Sequence, residues 1–324
     1  MGNEQPKTRM VVTGATGFIG RNLVEHFAGK PEFEIFAVYH SRRPYPCPNV
    51  TWIEADLTRQ DDVARVTALA DVLLHVAATT SGAKDIVTRP HIHVTDNAVM
   101  NSLMLRAAFE SKIKHFVFFS CSVMLQSSEK PQTEDDFNAG EEINKSYFGA
   151  AWTKIYIEKM CEFFSRIGST RFTVIRHSNI YGPYDKFDLE RSHVFGATVT
   201  KVMTATNGRV VVWGSGEEAR DLLHVRDLVE FVDLALQRQP AAFGLYNCGL
   251  GRAVAVRDLV AKVAAASGRR LAIEFDLDRP TIKTSLSLDC SKAERELGWT
   301  AKIDLDQGIG QTLAWWRQYH GDVT

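Results

Sequence analysis

The chain has 324 residues, 45% of them hydrophobic and 24% charged, and its 38 basic residues nearly balance its 39 acidic ones. This length suits one large domain or two linked ones, and the balanced charge carries no signature of nucleic-acid or membrane-surface binding. Five cysteines without a C-x-x-C pair argue against a disulfide framework or a metal site and favour a cytoplasmic location. The polar N-terminus has no apolar signal core, and no apolar run approaches the length of a membrane span.

Short apolar runs alternate with helical patterns through the first half of the chain. The predicted strands cover residues 9–13, 34–40, 51–55, 71–77, 115–120 and 171–177. The predicted helices cover residues 21–28, 61–68, 97–111 and 150–166. Most of the apolar runs do not alternate with polar residues, as is typical of strands covered on both faces. We therefore predict an α/β fold with a doubly wound parallel sheet and right-handed crossovers.

The rhythm changes after residue 183. A charged loop over 185–191 precedes a helix from 193 to about 206. Short strands at 210–213, 245–248 and 271–275 then mix with a helix at 256–266. We predict a sheet domain over residues 1–180, to which a segment at about 216–248 returns, and a smaller mixed lobe over 181–324. Since no flexible linker separates them, the two parts should pack together with a cleft between them.

A glycine-rich loop joins the first strand to the first helix. It reads Gly14, Ala15, Thr16, Gly17, Phe18, Ile19, Gly20. Glycines permit a tight turn and bring no Cβ near a pyrophosphate, and the helix that follows offers unpaired N–H groups to the anion. The position between strand and helix predicts a dinucleotide-binding site, and a turn that binds no ligand is the alternative.

The end of the second strand bears on the choice of cofactor. An acidic residue there would bind the ribose 2′-hydroxyl of NAD, but this chain has Arg42 and Arg43 and no acid. Either arginine can pair with a 2′-phosphate, so the sequence predicts NADP rather than NAD. The alternative is a pair of solvated loop arginines.

The spacing Gly-x-x-Gly-x-x-Gly resembles that of the short-chain dehydrogenase/reductase superfamily. Gly17-Phe18-Ile19-Gly20 resembles its extended branch, the nucleotide-sugar epimerases, dehydratases and reductases. The resemblance implies a Rossmann domain and further cofactor contacts, namely an adenine contact at Asp56 and Leu57 and contacts at Ala77, Ala78, Thr79, Lys154 and His177.

The same resemblance implies a catalytic triad of Ser or Thr with Tyr-x-x-x-Lys on a helix. The lysine holds the ribose and lowers the pKa of the tyrosine. The tyrosine moves a proton as hydride is transferred, and the serine orients the sugar oxygen. Counting back from Val123 places Ser120 at the serine position. Ser122 should face the same side, either in the site or as a capping hydroxyl, and Cys121 the opposite side.

Lys154 matches the family lysine, but the residue four positions before it is Ala150. Tyr147 and Tyr156 do not have the required offset. Three explanations remain open: a tyrosine removed by engineering, which we favour because the rest of the site is present, a different natural acid, or a protein that binds without catalysis. Loss of the proton shuttle typically slows general acid–base catalysis about 10²–10⁴-fold.

Downstream motifs resemble the GDP-L-fucose synthases over nearly the whole chain, at 179–188, 192–194, 212–216, 220–225 and 296–299. Those enzymes epimerise C3 and C5 of a GDP-4-keto-6-deoxy sugar and reduce C4 with NADPH. The resemblance matches His193 to their acid, although a surface histidine is the alternative, and Ser122 to their cysteine base. Because an alcohol is a far poorer base than a thiolate, C4 reduction with or without epimerisation is expected.

The expected partner is a nucleotide-diphosphate sugar, bound at Ser122, Asn179, His193, Lys201, Trp213, Arg220 and Lys283. Lys201 and Arg220 match diphosphate contacts, with a solvated Lys201 as the alternative. Trp213 either stacks on the ligand or fills the core of the lobe.

Residues 134–136 are expected on a solvated surface. Helices 97–111 and 150–166 correspond to a family four-helix interface, which predicts a homodimer. A 4-epimerase with tightly bound NAD(P) and a non-enzymatic sensor or scaffold remain as alternative functions.

Overall fold

A computed structural model describes residues 6–79, 89, 91, 94–189, 192–279 and 284–321. The strands are β1 Thr8–Thr13, β2 Phe33–Tyr39, β3 Val50–Glu54, β4 Val72–His75, β5 His115–Phe119, β6 Arg171–His177, β7 Asn179–Tyr181, β8 Arg209–Trp213, β9 Ala219–His224, β10 Phe243–Cys248, β11 Ala253–Ala255, β12 Ala272–Asp276 and β13 Ser285–Leu286. The α-helices are α1 Phe18–Ala28, α2 Gln60–Thr67, α3 Thr95–Glu110, α4 Phe148–Ile167, α5 Val194–Met203, α6 Val225–Arg238, α7 Val256–Ser267, α8 Ser291–Leu297 and α9 Leu305–His320.

The central sheet has seven strands in the order β10-β6-β5-β4-β1-β2-β3, and all of its pairings are parallel. Alternate residues of β1 serve opposite faces, as a strand requires. Met10 and Val12 join one buried cluster with helices α1 and α6, whereas Val11 joins another with α2, α3 and α4. The predicted doubly wound α/β fold is therefore confirmed.

The smaller lobe has its own core. Strands β11, β9 and β13 form a small sheet in which β7 also pairs with β9, and β8 pairs with β12. Helices α5, α7 and α9 pack on Tyr181, Leu222 and Val212 in a separate buried cluster. Strand β10 lies beside β6 at the edge of the central sheet. Helices α6 and α8 pack into the core of the sheet domain as well, so the later chain crosses between the two parts.

The topology places the functional site. The first crossovers run from β1 outward to β2 and β3, and the chain then returns to β4 on the other side of β1. Ligands bind outside the carboxyl ends of the strands at such a switch point, because the loops there diverge and leave a crevice. The glycine loop follows β1 at this point. No helix within the described ranges is long and apolar enough to cross a membrane.

The loop at 134–136 corrects one expectation. Asp135 and Asp136 are exposed, as expected, but Glu134 is buried and accepts a hydrogen bond from the backbone N–H of Asn247 at 2.7 Å. Burial raises the pKa of the Glu134 carboxyl, and this hydrogen bond opposes the shift. Glu134 therefore ties the loop to β10 instead of facing solvent.

Candidate active site

A cleft of about 1550 Å³ lies between the carboxyl ends of the central strands and the smaller lobe. The glycine loop forms one end of it. The ends of β5 and β6 and the first turn of α4 line the middle, and residues of α5, β8 and β9 line the lobe side. Most of the predicted site residues thus line one cavity, whereas Arg43, Asp56 and Leu57 are not part of its lining.

The glycine loop fits a dinucleotide. Gly14 has a φ of 64°, and a Cβ on it would lie 2.8 Å from the Cα of Ala77. A Cβ on Gly20 would lie 2.2 Å from the carbonyl oxygen of Gly14. Gly17 is the N-cap of α1 and has no side chain to occupy the first-turn N–H groups. The backbone is therefore close-packed behind the loop and open to an anion in front of it.

A buried hydrogen-bond network fixes the segment opposite the glycine loop. The hydroxyl of Thr13 accepts bonds from the N–H groups of Val76 and Ala77, both at 3.1 Å, and so donates to Nδ1 of His75 at 2.9 Å. Burial, and secondarily the charge of Lys154, lowers the pKa of His75 to about 3, so its ring is neutral and can accept this bond.

The next residues of this segment are also anchored. Thr79 exchanges two 3.0 Å hydrogen bonds with the side-chain amide of Asn97 on α3, one through its N–H and one through its carbonyl. Ala77, Ala78 and Thr79 all line the cleft, as expected for cofactor contacts.

The arginines after β2 differ from each other. Arg42 lines the cleft, and its guanidinium donates to the carbonyl of Thr16 at 3.0 Å, so it lies across the glycine loop. Arg43 is exposed. Asp56 follows β3, and its carboxylate accepts bonds from the N–H and the hydroxyl of Thr58, while Leu57 is buried in the core. Arg42 is thus the better placed of the two for a phosphate.

Lys154 lies at the centre of the cleft. Its ammonium donates to the carbonyl of Phe119 at 2.7 Å and lies 4.6 Å from the centre of the Phe118 ring. Burial lowers the pKa of Lys154, and the neighbouring Cys121 acts in the opposite direction. Ala150 lines the same cleft, so the place of the family tyrosine is occupied by a methyl group.

Ser120 lines the cleft, as Cys121 and Ser122 do, and it also has partners behind the cleft. Its side chain is fully buried, and its hydroxyl donates to Glu158 at 2.6 Å. Glu158 in turn forms a buried ion pair with Arg176, at 2.7 Å for the shortest contact. Strand β5 ends at Phe119, so the alternation used to orient the next residues no longer applies. Ser120 therefore links the cleft wall to the buried ion pair behind it, and its catalytic role stays a prediction.

Cys121 and Ser122 both line the cleft. The expectation that Cys121 faces away is wrong, because its thiol lies close enough to Lys154 to raise the pKa of that lysine. Burial raises the pKa of the Cys121 thiol itself, and Lys154 opposes this shift. Ser122 is buried at the cleft wall, as expected for a site residue.

Two histidines approach each other from different elements. His177 lies at the end of β6 and donates from Nδ1 to the carbonyl of Ser178 at 2.8 Å. Burial, Lys154 and His193 lower the pKa of its ring to about 4. His193 is the N-cap of α5, and its ring is accessible to solvent but enclosed by the cleft. This partial desolvation, followed by the charge of Lys186, lowers the pKa of His193. Both rings therefore line the cleft in the neutral form at neutral pH.

The lobe contributes cationic and aromatic groups. Lys201 donates to the carbonyl of Val211 at 2.9 Å and lies 5.1 Å from the centre of the Trp213 ring, and Arg279 lies 5.5 Å from the same ring. Trp213 is 48% exposed, so it does not fill the core of the lobe. Arg220 donates to the carbonyl of Thr284 at 2.6 Å.

Two further expected substrate contacts have different outcomes. The side-chain amide of Asn179 lines the cleft and donates to the carbonyl of Asp221 at 3.2 Å. Lys283 lies outside the described residues.

Sequence reasoning missed several buried polar residues around the cleft. Asp221 accepts bonds from the N–H groups of Leu250, Gly251 and Leu288 and thereby ties β9 to two other segments of the chain. Asp185 is 9% exposed, lines the cleft and has an oxygen without a hydrogen-bond partner, although it was placed in a charged loop. Glu158 lies one helical turn after Lys154, and that spacing was the available signal for it.

Comparison with known proteins identifies the class of protein that this fold and site define. Residues 10–249 match the NAD dependent epimerase/dehydratase family, and the chain belongs to that family. The resemblance inferred from the glycine loop and the lysine helix is thereby confirmed.

Individual relatives cover most of the chain. GDP-L-colitose synthase of Yersinia pseudotuberculosis is 26% identical over 94% of this chain and 96% of its own length. GDP-L-fucose synthase of Escherichia coli is 28% identical over 76% of this chain and 79% of its own length.

Solved structures share the fold. UDP-glucose 4-epimerase of Thermotoga maritima, solved with UDP-glucose, has a TM-score of 0.85 and 23% identity over 97% of this chain and all of its own. The UDP-glucose 4-epimerase of Thermus thermophilus, solved with NAD, has a TM-score of 0.81 and 21% identity over 96% of this chain and 99% of its own.

Proposed function

We propose that the protein is an NADP(H)-dependent C4 ketoreductase of a nucleotide-diphosphate sugar, with a GDP-4-keto-6-deoxyhexose as the substrate. The observation that carries the proposal is a single cleft with a glycine loop and Lys154 on the sheet side and Lys201, Trp213 and Arg220 on the lobe side. The similarity to a colitose synthase and a fucose synthase, both named for GDP-sugars, supports this substrate class.

The residues at each end of the cleft suit one part of such a complex. The open first turn of α1 suits a pyrophosphate, and Arg42 lies beside it, where it can pair with a 2′-phosphate. Arg220 and Lys201 suit a nucleotide diphosphate, and the exposed face of Trp213 suits a base or a sugar ring. When bound, a reduced dinucleotide supplies a hydride, and Lys154 is the residue that would hold its ribose.

Epimerisation is the less supported part of the proposal. His193 and Ser122 both line the cleft, where the family resemblance puts the acid and the base. A hydroxyl is a poor base near neutral pH, so Ser122 favours reduction with little or no epimerisation. We infer that the principal product is the C4 alcohol.

Stoichiometry with substrate tests the function. The parent chain and Ala150→Tyr are incubated with NADPH and GDP-4-keto-6-deoxymannose, and the cofactor and the sugar product are measured together. The proposal expects one NADPH oxidised for each C4 alcohol formed in at least one of the two proteins. Isomerised product without net oxidation of NADPH would instead indicate the 4-epimerase. No reaction in either protein would indicate the non-enzymatic dinucleotide-binding scaffold.

We also propose a homodimer through α3 and α4. These neighbouring helices carry a set of exposed apolar side chains, namely Val99, Phe148, Phe163 and Ile167, which are 47–58% exposed. An exposed apolar patch on a helix pair favours association with a second copy. Pairing two such helices from each chain would form a four-helix bundle.

A further inference from the structure

The position of Ala150 raises the question of where the proton comes from, and the answer rests on the proposed ketoreductase. Reduction of a carbonyl to an alcohol requires a proton donor as well as a hydride. Ala150 has none, so another cleft group has to supply it. The candidates that line the cleft are Cys121, Tyr147, His177, Asp185 and His193. Cys121 is the competing donor on the sheet side, and the Tyr147→Phe variant below distinguishes it from Tyr147.

Three of these candidates are poorly placed. His177 uses its Nδ1–H on the carbonyl of Ser178, and with a pKa of about 4 its Nε2 carries no proton near neutrality. Asp185 belongs to the loop before α5, and one of its oxygens is held by the N–H of Lys186 at 2.7 Å. His193 caps α5 on the lobe. Neither of these last two stands on the elements that hold Lys154.

Tyr147 is fixed over the cleft by the turn that starts α4. It closes a short 3₁₀ helix, Lys145–Tyr147, and its N–H donates to the carbonyl of Asn144 at 2.8 Å. The side chain of Asn144 accepts a second bond, from the N–H of Ser146 at 3.0 Å. Tyr147, Ser146 and Asn144 all line the cleft. Asn144 thus holds the turn through the backbone N–H groups of both Ser146 and Tyr147.

Tyr147 and Lys154 both line the cleft. The two residues are seven positions apart, which corresponds to about two helical turns and returns to nearly the same face. Ala150 lies between them in the chain, also lines the cleft, and presents only a methyl group.

The phenol of Tyr147 keeps its proton near neutral pH, because its pKa is raised overall. The guanidinium of Arg220, held at the carbonyls of Thr284 and Ala219, lies close enough to favour the phenolate. Burial raises the pKa of Tyr147, and Arg220 acts in the opposite direction. Cys121 lies near both Tyr147 and Lys154, so the three groups surround one part of the cleft.

We propose that Tyr147 donates the proton to the C4 oxygen of the sugar in place of the residue missing at 150. A bound reduced nicotinamide dinucleotide would supply the hydride for the new C–H bond at C4 and would itself be oxidised. The carbonyl π bond breaks, and its oxygen takes the Tyr147 proton to become the alcohol. The phenolate remains beside Arg220 until a water molecule returns the proton.

The test compares the parent chain with Tyr147→Phe, Ala150→Tyr and the double variant. Tyr147→Phe should lower kcat about 10²-fold or more while the dissociation constant for NADPH stays within about twofold. Adding Ala150→Tyr to that variant should restore most of the lost rate. Tyr156→Phe is the matched control, because Tyr156 lies on the same helix, is exposed, and has its hydroxyl 3.4 Å from that of Ser102. It should keep the parent rate.

A second readout does not depend on turnover. Ultraviolet difference titration of the parent chain against Tyr147→Phe isolates the phenolate signal of Tyr147. Replacing Arg220 by Gln should move that titration to higher pH, since a stabilising positive charge is lost. An unchanged titration would contradict the predicted pairing of the two side chains.

The outcomes separate this inference from the proposed function. If the parent chain turns over and Tyr147→Phe changes its rate by less than about threefold, the inference is overturned while the proposed function stands. Turnover only after Ala150→Tyr also overturns it, while the ketoreductase assignment stands. Absence of turnover in the parent chain and in Ala150→Tyr overturns the proposed function, and the inference with it.

Discussion

At the scale of single residues, the cleft depends on charges that are buried behind it. Glu158 and Arg176 are each about 5% exposed, and they bind each other as well as Ser120 and the carbonyl of Glu134. A buried ion pair adds little net stability compared with apolar residues, but removing one partner leaves the other charge unpaired. The pair therefore fixes the geometry of β5, β6 and α4 more than it adds to stability.

Replacing Glu158 by Gln should destabilise the fold strongly. The guanidinium of Arg176 would remain buried with only neutral partners, so we expect a loss of about 3–5 kcal/mol in the free energy of unfolding. Urea titration measures the loss. Glu162→Gln is the control, since Glu162 pairs with Lys159 and Arg166 on the outer face of the same helix, and such exposed pairs contribute about 1 kcal/mol at most. Equal losses in the two variants would contradict the role of burial.

Asp185 should make stability depend on pH. Burial raises the pKa of its carboxyl from 3.8 to about 7, so the folded chain holds a proton that the unfolded chain releases. The contribution of Asp185 to stability is therefore present at low pH and is lost as the pH rises from about 4 to about 7.

Asp185→Asn removes this titration. Between pH 5 and pH 7.5 the parent chain should lose about 2 kcal/mol more than the variant, at about 1.4 kcal/mol for each pH unit of the window. The buried neutral histidines act with the opposite sign, since their lowered pKa values favour the folded state above pH 6.5. They are common to both proteins and cancel in the difference. Parallel pH profiles in urea titrations would contradict this assignment.

At the scale of elements, the turn from β1 into α1 has the least room for change. Gly20→Ala would place a Cβ 2.2 Å from the carbonyl oxygen of Gly14. Because that oxygen belongs to the backbone, the clash is relieved only if the loop itself moves. We expect NADPH binding to weaken at least about tenfold and stability to fall by about 1–3 kcal/mol, as for other overpacked sites. Fluorescence titration with NADPH and thermal unfolding measure the two effects.

Gly310→Ala is the control for that substitution. Gly310 lies in α9, and apart from the backbone of that helix and the adjacent residues, no atom of the described residues lies within 4 Å of an added Cβ. Alanine there should leave NADPH binding unchanged and stabilise the helix by about 0.5–1 kcal/mol. Equal effects of the two substitutions on NADPH affinity and stability would show that the close contact between Gly20 and Gly14 is not what constrains the loop.

The loop after β2 should decide between the two cofactors. Arg42→Ala removes the cation beside the glycine loop, so the affinity for NADPH should fall about 10–100-fold, the range for a charge-assisted hydrogen bond. The affinity for NADH should change little, because NADH has no 2′-phosphate. Calorimetric titration with both cofactors measures the ratio, and a parallel loss for both would contradict the NADP assignment.

Periodicity and local context were sufficient for the elements but not for all of the site. The apolar runs predicted the strands of the central sheet to within one or two residues, and the glycine spacing predicted the loop, because both are properties of adjacent residues. Counting back from Val123 predicts Ser120 at the site, and Ser120 lines the cleft, but counting does not reveal its buried partner. Its partner Glu158 lies 38 positions away, so their contact exists only once α4 packs on the sheet. Glu134 and Asp185 have the composition of surface loops, and tertiary packing alone buries them.

At the scale of the whole molecule, the open question is the partner of α3 and α4. Substituting Phe163 by Glu places a charge within the exposed apolar set on these helices. A buried carboxylate without a partner costs several kcal/mol, and twofold symmetry would place the change in both chains of a dimer. We therefore expect the parent chain to run as a dimer in size-exclusion chromatography with light scattering and Phe163→Glu as a monomer.

Leu277→Glu controls for a general effect of surface charge. Leu277 is 72% exposed and follows β12 on the smaller lobe, away from both helices. It should leave the dimer intact. If the Phe163→Glu protein binds NADPH like the parent chain, the cleft is complete within one chain, as expected from a cavity lined by both lobes of one chain. A parent chain that is monomeric at micromolar concentration would overturn the proposed four-helix interface, while the assignment of the cleft would stand.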